Sequence, residues 1–405
     1  MRYTVVGIAD TPCPTLAPEV AGLIAAGTVF SGGRRHHDIV APLLPPGARW
    51  IDITAPLDNV FAQYEAAGTD IIVFASGDPL FFGFANTIRR RLPEAEIVLY
   101  PTFNSLQTLA HRLVMPYHDM RIVSLTGRPW PEFDRALIER AAKIGVLTDR
   151  EHTPAAIARR MLDYGYDSYA MSVGEHLGNP GRERVATLSL SEAAQASFEH
   201  PNCVIVSATT ALRPAPFGIA DHEFALLDGR EKMITKMPIR LLTLQALGLR
   251  RRRVLWDIGF CTGSVSIEAR LQFPHLQVVS FEIRGACEAL IQANSRRFGA
   301  PGIEVRMGDF LATDLSSLPR PDAVFIGGHG GRLADIMAKV LTVLAPDGCI
   351  VTNSVTSAVV EQLTSRPDSK TLFEAACAEL GLTMEPSLHI TLNDYNPIEI
   401  LKCRR

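Results

Sequence analysis

The octapeptide Asp257-Ile-Gly-Phe-Cys-Thr-Gly-Ser264 carries the sharpest chemical signal in the chain, with two glycines and an acid where a strand turns into a helix. Gly259 and Gly263 can take backbone angles closed to other residues and let a ligand approach the main chain. The free N–H groups of the helix that Ser264 begins present positive dipole to a carboxylate. Asp257 offers negative charge to an ammonium or a sulfonium. Glu282 ends the next strand, where an acid can accept two hydrogen bonds from a ribose. Asp309, in Met307-Gly-Asp-Phe310, ends the third strand and is placed to meet an adenine amino group, with Phe310 beside it. The spacing is not GxGxxG. Cys261 stands at the second glycine position, which narrows the room for a pyrophosphate and disfavours a dinucleotide.

A second cluster follows the fourth strand of this half. Phe325-Ile-Gly-Gly-His-Gly-Gly331 surrounds one histidine with four glycines and forms a pliable loop at the edge where ligands bind. His329 is a candidate acid or base, and Gly327 and Gly328 are candidates for substrate contact. The plain alternative is a flexible turn with a solvated histidine. Alternating elements must hold these groups together. Helical stretches over 237–249, 264–272, 285–298 and 332–344 alternate with strand-like runs 253–258, 277–281, 303–306, 323–326 and 349–352. That order predicts a doubly wound α/β sheet with helices on both faces and ligand loops at the carboxyl ends of its strands.

The first half has the same class of pattern. Tyr3–Val6, Ile71–Ala75, Ile97–Tyr100, Ile122–Leu125, Ile144–Leu147 and Cys203–Val206 are continuous apolar runs suited to buried parallel strands, with a helix expected over 80–92. Ala75-Ser-Gly-Asp-Pro79 closes the second run. Gly77 permits a tight turn, Asp78 projects from the loop, and Pro79 suits a helix start. Arg34 and Arg35, followed by His36 and His37, form a cationic cluster suited to carboxylates. Arg89–Arg91 and Arg250–Arg253 read mainly as solvated faces. The stretch Ala211–Asp221, with two prolines and a glycine, marks a break. The expected division is residues 1–212, a linker over 213–222, and residues 223–405.

Bulk properties narrow the function. At roughly 100–200 residues per domain, 405 residues suggest two to four folding units. A net charge of −3 supplies no global basic field, which argues against nucleic acid as a partner. The seven cysteines are scattered without a CxxC pair, as expected of reduced thiols and not of a zinc site, so no metal is expected. No apolar run approaches about 18 residues, so no membrane span is expected. No basic leader precedes the first strand, and the expected location is the cytoplasm.

Two resemblances sharpen these expectations. Leu255-Trp-Asp-Ile-Gly, Thr262-Gly-Ser-Val-Ser-Ile-Glu268 and Ile326-Gly-Gly resemble the C15-methylating, C12-decarboxylating domain of cobalamin biosynthesis, across residues 223–405. Ile234-Thr-Lys236 is similar to that family's segment before its first helix. The resemblance implies a Rossmann-like methyltransferase that binds S-adenosylmethionine, with Thr235 as a cofactor contact beside Asp257, Gly259, Gly263, Ser264, Glu282, Asp309 and Phe310. It makes His329, Asn353 and Thr356 candidates for holding the C12 acetate and returning a proton. Phe260-Cys261 departs from the family's usual pair of small residues.

Across residues 1–212, Val5-Val-Gly-Ile, Ser31-Gly-Gly-Arg-Arg35, Ala75-Ser-Gly-Asp-Pro79, Thr102-Phe-Asn-Ser-Leu-Gln107, Val123-Ser-Leu-Thr-Gly-Arg128 and Val173-Gly-Glu-His-Leu-Gly178 resemble the C5-methylating branch of the tetrapyrrole (corrin and porphyrin) methylase superfamily. That resemblance implies two α/β subdomains holding a second S-adenosylmethionine, with Gly77, Asp78, Pro79 and Ser105 as its contacts. Arg34 and Arg35 would meet carboxylates of the corrinoid. Asp10, in Gly7-Ile-Ala-Asp-Thr-Pro12, departs from the family, and its charge is unexpected near an anionic ring. The implied reaction is methylation of a precorrin-6 or cobalt-precorrin-6 type corrinoid at C5 and C15, with loss of the C12 acetate carboxyl. A homo-oligomer is also expected. The alternatives are a methyltransferase of another small molecule with a degenerate N-terminal half, and a nonenzymatic S-adenosylmethionine-binding regulator.

Overall fold

The computed structural model describes residues 1–12, 14–355, 368–392 and 396–405. The chain divides into two compact units. One comprises Met1–Arg128, Ala142–Arg160 and Ser168–Ala211; the other comprises Pro129–Ala141, Met161–Asp167 and Leu212–Arg405.

The first unit holds two five-stranded sheets. The first sheet contains β1 (Arg2–Ile8), β2 (Val29–Gly32), β3 (Arg49–Asp52), β4 (Ile71–Ser76) and β5 (Glu96–Tyr100), all parallel, in the order β3-β2-β4-β1-β5. Side chains alternate between its two faces. Tyr3, Val5, Ile71 and Val73 pack on one face; Val6, Ile8, Ile72 and Phe74 pack on the other. Both faces are covered, which is why these strands read as unbroken apolar runs. The second sheet contains β6 (Arg121–Ser124), β7 (Lys143–Leu147), β8 (Tyr169–Glu175), β9 (Arg184–Ser189) and β10 (Asn202–Ala208), in the order β6-β7-β10-β8-β9. Here only β6 and β7 are parallel; the other pairs are antiparallel. The expectation of parallel strands fails for this sheet because an apolar run reports burial on both faces and not direction. The exposed edge strand β9 has no such run and left no signal.

The helix expected over 80–92 is shorter, Ala85–Arg91. Residues 80–84 instead form a tight turn. Phe82 takes a φ of +55°, and Asn86 Nδ2 donates to the Leu80 carbonyl at 2.7 Å.

The second unit is built on one eight-stranded sheet. Its strands are β11 (Val254–Ile258), β12 (Gln277–Glu282), β13 (Ile303–Met307), β14 (Ala323–Ile326), β15 (Cys349–Val355), β16 (Thr383–Met384), β17 (Leu388–Ile390) and β18 (Ile398–Arg404). The order is β13-β12-β11-β14-β15-β18-β16, with β17 also paired to β18. β11 to β15 are parallel, as the alternating pattern predicts. β18 runs antiparallel to β15, and the short strands β16 and β17 pair on its outer side. The two- and three-residue strands β16 and β17 are too short to carry a periodic signal. Chain order reverses direction between β11 and β14, so the carboxyl ends of β11, β12 and β14 flank a crevice where doubly wound sheets bind ligands.

The stretch expected as a linker is fixed to this unit from Pro216 onward. Gln272 Nε2 donates to the Pro216 carbonyl at 2.8 Å, and Gly218 N–H donates to Glu268 Oε1 at 2.7 Å. Arg240, wholly buried, donates from Nε to Glu268 Oε2 at 3.1 Å, from Nη1 to the Thr235 carbonyl at 2.8 Å, and from Nη2 to the Ile219 carbonyl. Glu268, part of the recognised motif, is therefore a structural partner of Arg240 and of the chain entering the unit. Removing one member of a fully buried ion pair leaves the other uncompensated, at a cost of about 3–5 kcal/mol. Arg240→Ala is expected to lower the stability of the second unit by that amount in urea unfolding. An unchanged midpoint would contradict this role.

Candidate active site

The carboxyl ends of β11 to β15 open into a cavity of about 1590 Å³. Asp257, at the end of β11, lines it and is almost fully buried. Its Oδ2 accepts from Ser266 Oγ at 2.5 Å, and Ser266 Oγ lies 2.7 Å from Ser280 Oγ. Its Oδ1 is buried without a hydrogen-bond partner among the described residues. Burial pushes the carboxyl up to about 7, against the opposing effect of Ser266. A buried, half-partnered carboxyl facing a cavity suits a cationic group on a ligand.

Gly259 follows with a φ of +79°. A Cβ there would lie 2.5 Å from the Gly328 backbone nitrogen. The sequence argued for glycine to admit a ligand; the structure requires it so that two loops can touch. Gly263 and Ser264 are not among the residues lining the cavity. A Cβ on Gly263 would meet Ile291 at 2.4 Å, and Ser264 is buried. The cavity wall is instead made by Phe260 and Cys261, which pack with Cys287 and Ile291. Burial pushes the Cys287 thiol up to about 12 and raises Cys261, so both are protonated packing groups.

The acids at the next two strand ends also line the cavity, and each is clamped by an arginine that the sequence reading missed. Glu282 Oε1 accepts from Arg284 Nε at 2.9 Å and Oε2 from Arg284 Nη2 at 2.7 Å; Oε2 also accepts from the Cys261 N–H at 3.0 Å. Burial opposes its ionisation, but Arg284 and the surrounding N–H groups prevail and hold the carboxyl below its ordinary value. Asp309 Oδ1 and Oδ2 accept from Arg332 Nη2 and Nη1, both at 3.0 Å, and Arg332 holds its carboxyl down. Phe310 beside it packs edge-on against Phe281 with centroids 5.0 Å apart. Arg284 and Arg332 lie just past an acid and a glycine loop, where sequence offers only a generic exposed cation.

Thr235, Gly327, Gly328, His329 and Asn353 complete the lining as the sequence reading grouped them. Gly331 N–H donates to His329 Nδ1 at 3.2 Å, so the imidazole proton sits on Nε2, which lies 3.0 Å from Ser369 Oγ. Burial lowers the His329 pKa, keeping the ring neutral. Asn353 Nδ2 donates to Thr243 Oγ1 at 3.1 Å. Thr356 lies outside the described residues.

In the first unit the corresponding strand ends meet in a glycine contact. A Cβ on Gly7, near the end of β1, would lie 1.8 Å from the Gly77 carbonyl oxygen. Gly77 itself has a φ of +61°, and a Cβ there would lie 2.7 Å from Asn104 Cα. Asp78 Oδ1 accepts from the Leu80 N–H at 2.8 Å, and Pro79 is buried in the turn. Ser105 begins the helix Ser105–Arg112, which Asn104 caps. Arg35 Nη2 donates to Ser76 Oγ at 2.8 Å; Arg34 is exposed. The unexpected Asp10 lies 3.8 Å from Arg35, a loose ion pair, and 3.6 Å from the buried His176 ring.

Among the described residues, no cluster of three or more His, Cys, Asp or Glu side chains is arranged to hold a metal. No helix of the described residues is long and apolar enough to cross a membrane.

A doubly wound sheet with acids at three successive strand ends around one cavity, preceded by a separate pair of α/β sheets, defines a two-unit chain of the methyltransferase class. Two family models match it: Tetrapyrrole (Corrin/Porphyrin) Methylases over residues 15–194, and Precorrin methyltransferase domain over residues 228–371. A precorrin-6Y C(5,15)-methyltransferase (decarboxylating) from Sinorhizobium sp is 35% identical over 87% of this chain and 84% of its own length. A cobalt-precorrin-6B C(15)-methyltransferase (decarboxylating) from Salmonella typhimurium is 39% identical over 31% of this chain and 64% of its own. A cobalt-precorrin-7 C(5)-methyltransferase from the same organism is 28% identical over 50% of this chain and 97% of its own. The chain belongs to the family of decarboxylating precorrin-6Y C(5,15)-methyltransferases.

The Asp257 geometry sets a pH dependence. S-adenosylhomocysteine carries an ammonium, and a cation bound beside Asp257 favours the ionised carboxyl. Since that carboxyl titrates near 7 in the free protein, affinity at this site is expected to rise up to about tenfold between about pH 6 and pH 8. Asp257→Asn should flatten the profile in calorimetric titrations. A dissociation constant independent of pH in the unsubstituted chain would contradict the assignment.

Proposed function

We propose that this chain methylates a precorrin-6 type corrinoid twice, at C5 by residues 1–212 and at C15 by residues 223–405, and releases the C12 acetate carboxyl as carbon dioxide. The observation that carries the reading is the match of two methylase families to separate halves of one chain, the second half holding a cavity lined by Asp257, Glu282 and Asp309. S-adenosylmethionine is the methyl donor; its sulfonium supplies an electrophilic methyl that leaves sulfur with the bonding pair. Two donor sites, one per half, belong to this proposal, as do a homo-oligomeric assembly and a cytoplasmic location.

The residues of the C-terminal cavity have distinct tasks in this reading. Asp257 holds the donor's cationic end, Glu282 its ribose, and Asp309 with Phe310 its adenine, while Thr235, Gly259 and the wall at Phe260 and Cys261 shape the space. Gly263 and Ser264 support the loop from behind. The meso carbons C5 and C15 are themselves the nucleophiles, so no side chain attacks; positioning and exclusion of water do most of the work. Gly327 and Gly328 leave room for the macrocycle. Asn353, with Thr356, is assigned to the C12 carboxylate. Electrons from its C–C bond enter the ring's conjugated imine as carbon dioxide leaves, and a proton from a water that His329 positions completes the methyl group. In the N-terminal half Gly77, Asp78 and Pro79 hold the second donor, Ser105 steadies the neighbouring helix, and the cations at Arg34 and Arg35 face the corrinoid.

Pockets for single drug-sized ligands run about 300–1,000 Å³. A cavity of about 1590 Å³ leaves space beyond a cofactor, which supports an enzyme over a ligand-binding regulator. The Gly7–Pro12 departure favours a degenerate N-terminal half, but the acid it introduces, Asp10, has Arg35 3.8 Å away.

Mass spectrometry of products from metal-free and cobalt-loaded precorrin-6 tests the reading. The intact chain is expected to add two methyls and remove carbon dioxide. Gly77→Val should add only the C15 methyl and still decarboxylate, whereas Asp257→Lys should lose both the C15 methyl and the decarboxylation. No mass change with either substrate, while S-adenosylhomocysteine binds, would sink the corrinoid assignment.

A further inference from the structure

We infer that Arg35 and Arg150 form a carboxylate-binding cleft in the N-terminal unit, which anchors an acetate or propionate side chain of the corrinoid beside the Gly77-Asp78-Pro79 loop. The inference deepens the C5-methylation reading and rests on it.

A cleft of about 360 Å³ is lined by Arg35, Thr126, Asp149, Arg150, His200 and Asn202, among others. Its walls come from both sheets of this unit. Arg35 stands on the helix Arg34–Val40 after β2, Arg150 follows β7, and His200 and Asn202 lead into and begin β10. The volume lies near the lower end for small-ligand pockets, which suits one side chain of a macrocycle and not the macrocycle itself.

Charge bookkeeping favours an anion. Asp149 is the acid among these lining residues, and its oxygens are already taken. Oδ1 accepts from the Glu151 N–H at 2.9 Å and the His152 N–H at 2.6 Å, and Oδ2 accepts from the Gly127 N–H at 2.9 Å. Burial opposes its ionisation, but these donors hold the carboxyl at about 2, so it stays charged and internally satisfied. Arg150, by contrast, is exposed and makes no hydrogen bond or ion pair with any described residue. Arg35 spends one nitrogen on Ser76 Oγ and sits a loose 3.8 Å from Asp10, which leaves guanidinium donors for a ligand. Asn202 is occupied within the protein, accepting from Thr148 Oγ1 at 2.6 Å and donating to the Glu199 carbonyl at 2.8 Å. Both arginines line the cleft with donors to spare, and guanidinium geometry matches carboxylate bidentately.

Location ties the cleft to the reaction. Ser76, which holds Arg35, is the residue immediately before Gly77. A carboxylate gripped by Arg35 would thus lie next to the loop assigned to the methyl donor. This also separates the two arginines of the Ser31–Arg35 motif: Arg35 lines the cleft and Arg34 does not.

The shared chemistry is a carboxylate, and it has two sources: a corrinoid side chain, or the methionine end of the donor. Arg150→Gln and Arg150→Lys in the intact chain distinguish them. With precorrin-6 as substrate, Arg150→Gln is expected to raise the KM of the C5 step about tenfold or more, the loss falling on KM and not on kcat. Arg150→Lys should recover part of that loss. S-adenosylhomocysteine affinity at the N-terminal site should stay within about twofold, and C15 methylation with decarboxylation by the same sample reports that the chain is folded. An unchanged KM with C5 methylation intact rejects the cleft and leaves the C5 reading standing. A loss confined to S-adenosylhomocysteine affinity gives the cleft to the donor and rejects the corrinoid anchor. Absence of C5 methylation in the unsubstituted chain rejects the reading beneath it, and the inference with it.

Discussion

Backbone-to-backbone contact at the carboxyl ends of adjacent parallel strands is the constraint on which both sites depend. In the first unit β1 and β4 are neighbours, and Gly7, near the end of β1, presses against the carbonyl of Gly77 in the loop leaving β4. In the second unit β11 and β14 are neighbours, and the loop leaving β11 presses Gly259 against the backbone of Gly328. Any side chain at these points would push two loops apart by more than packed structure tolerates. Each contact fixes where the chain turns from strand to helix, and so fixes where the neighbouring acid or turn residue points. The two units reach the same device with unrelated strand orders.

On that frame the second unit arranges three carboxyl groups in three environments. Asp257 lies deep, with one oxygen unpartnered and its pKa raised by burial. Glu282 is also buried but bidentate to Arg284, and Asp309 is partly exposed and bidentate to Arg332, and both carboxyls are held below their ordinary values. A ligand with a cation at one end and hydrogen-bonding hydroxyls and an amino group further along has a complementary order of charges. Arg284 and Arg332 matter for the same reason: a group that displaces either from its acid leaves a guanidinium exposed in the cavity. His329, neutral and with its proton on Nε2, faces the same space from the glycine loop.

Much of this was legible in the sequence. Asp257, Glu282 and Asp309 stand at strand ends that apolar periodicity locates, so their convergence followed from the doubly wound order alone. The glycine loop around His329 announced itself by composition. Other features were hidden for physical reasons. The direction of β8 and β10 is invisible because burial on both faces produces the same apolar run in either orientation. Ser264 and Gly263 read as cofactor contacts because helix starts often are; in the structure they lie in the same loop but not among the residues lining the cavity. Arg284, Arg332 and Arg150 were unreadable because an exposed cation in a loop has no pattern until its partners, or its lack of them, are placed in space.

The central claim is that one chain carries two independent donor sites. Calorimetric titration of the intact chain with S-adenosylhomocysteine measures this most directly. The account expects two molecules bound per chain, with Asp257→Lys abolishing one binding event and leaving the other unchanged. A single molecule per chain, or loss of all binding on that one substitution, would contradict it.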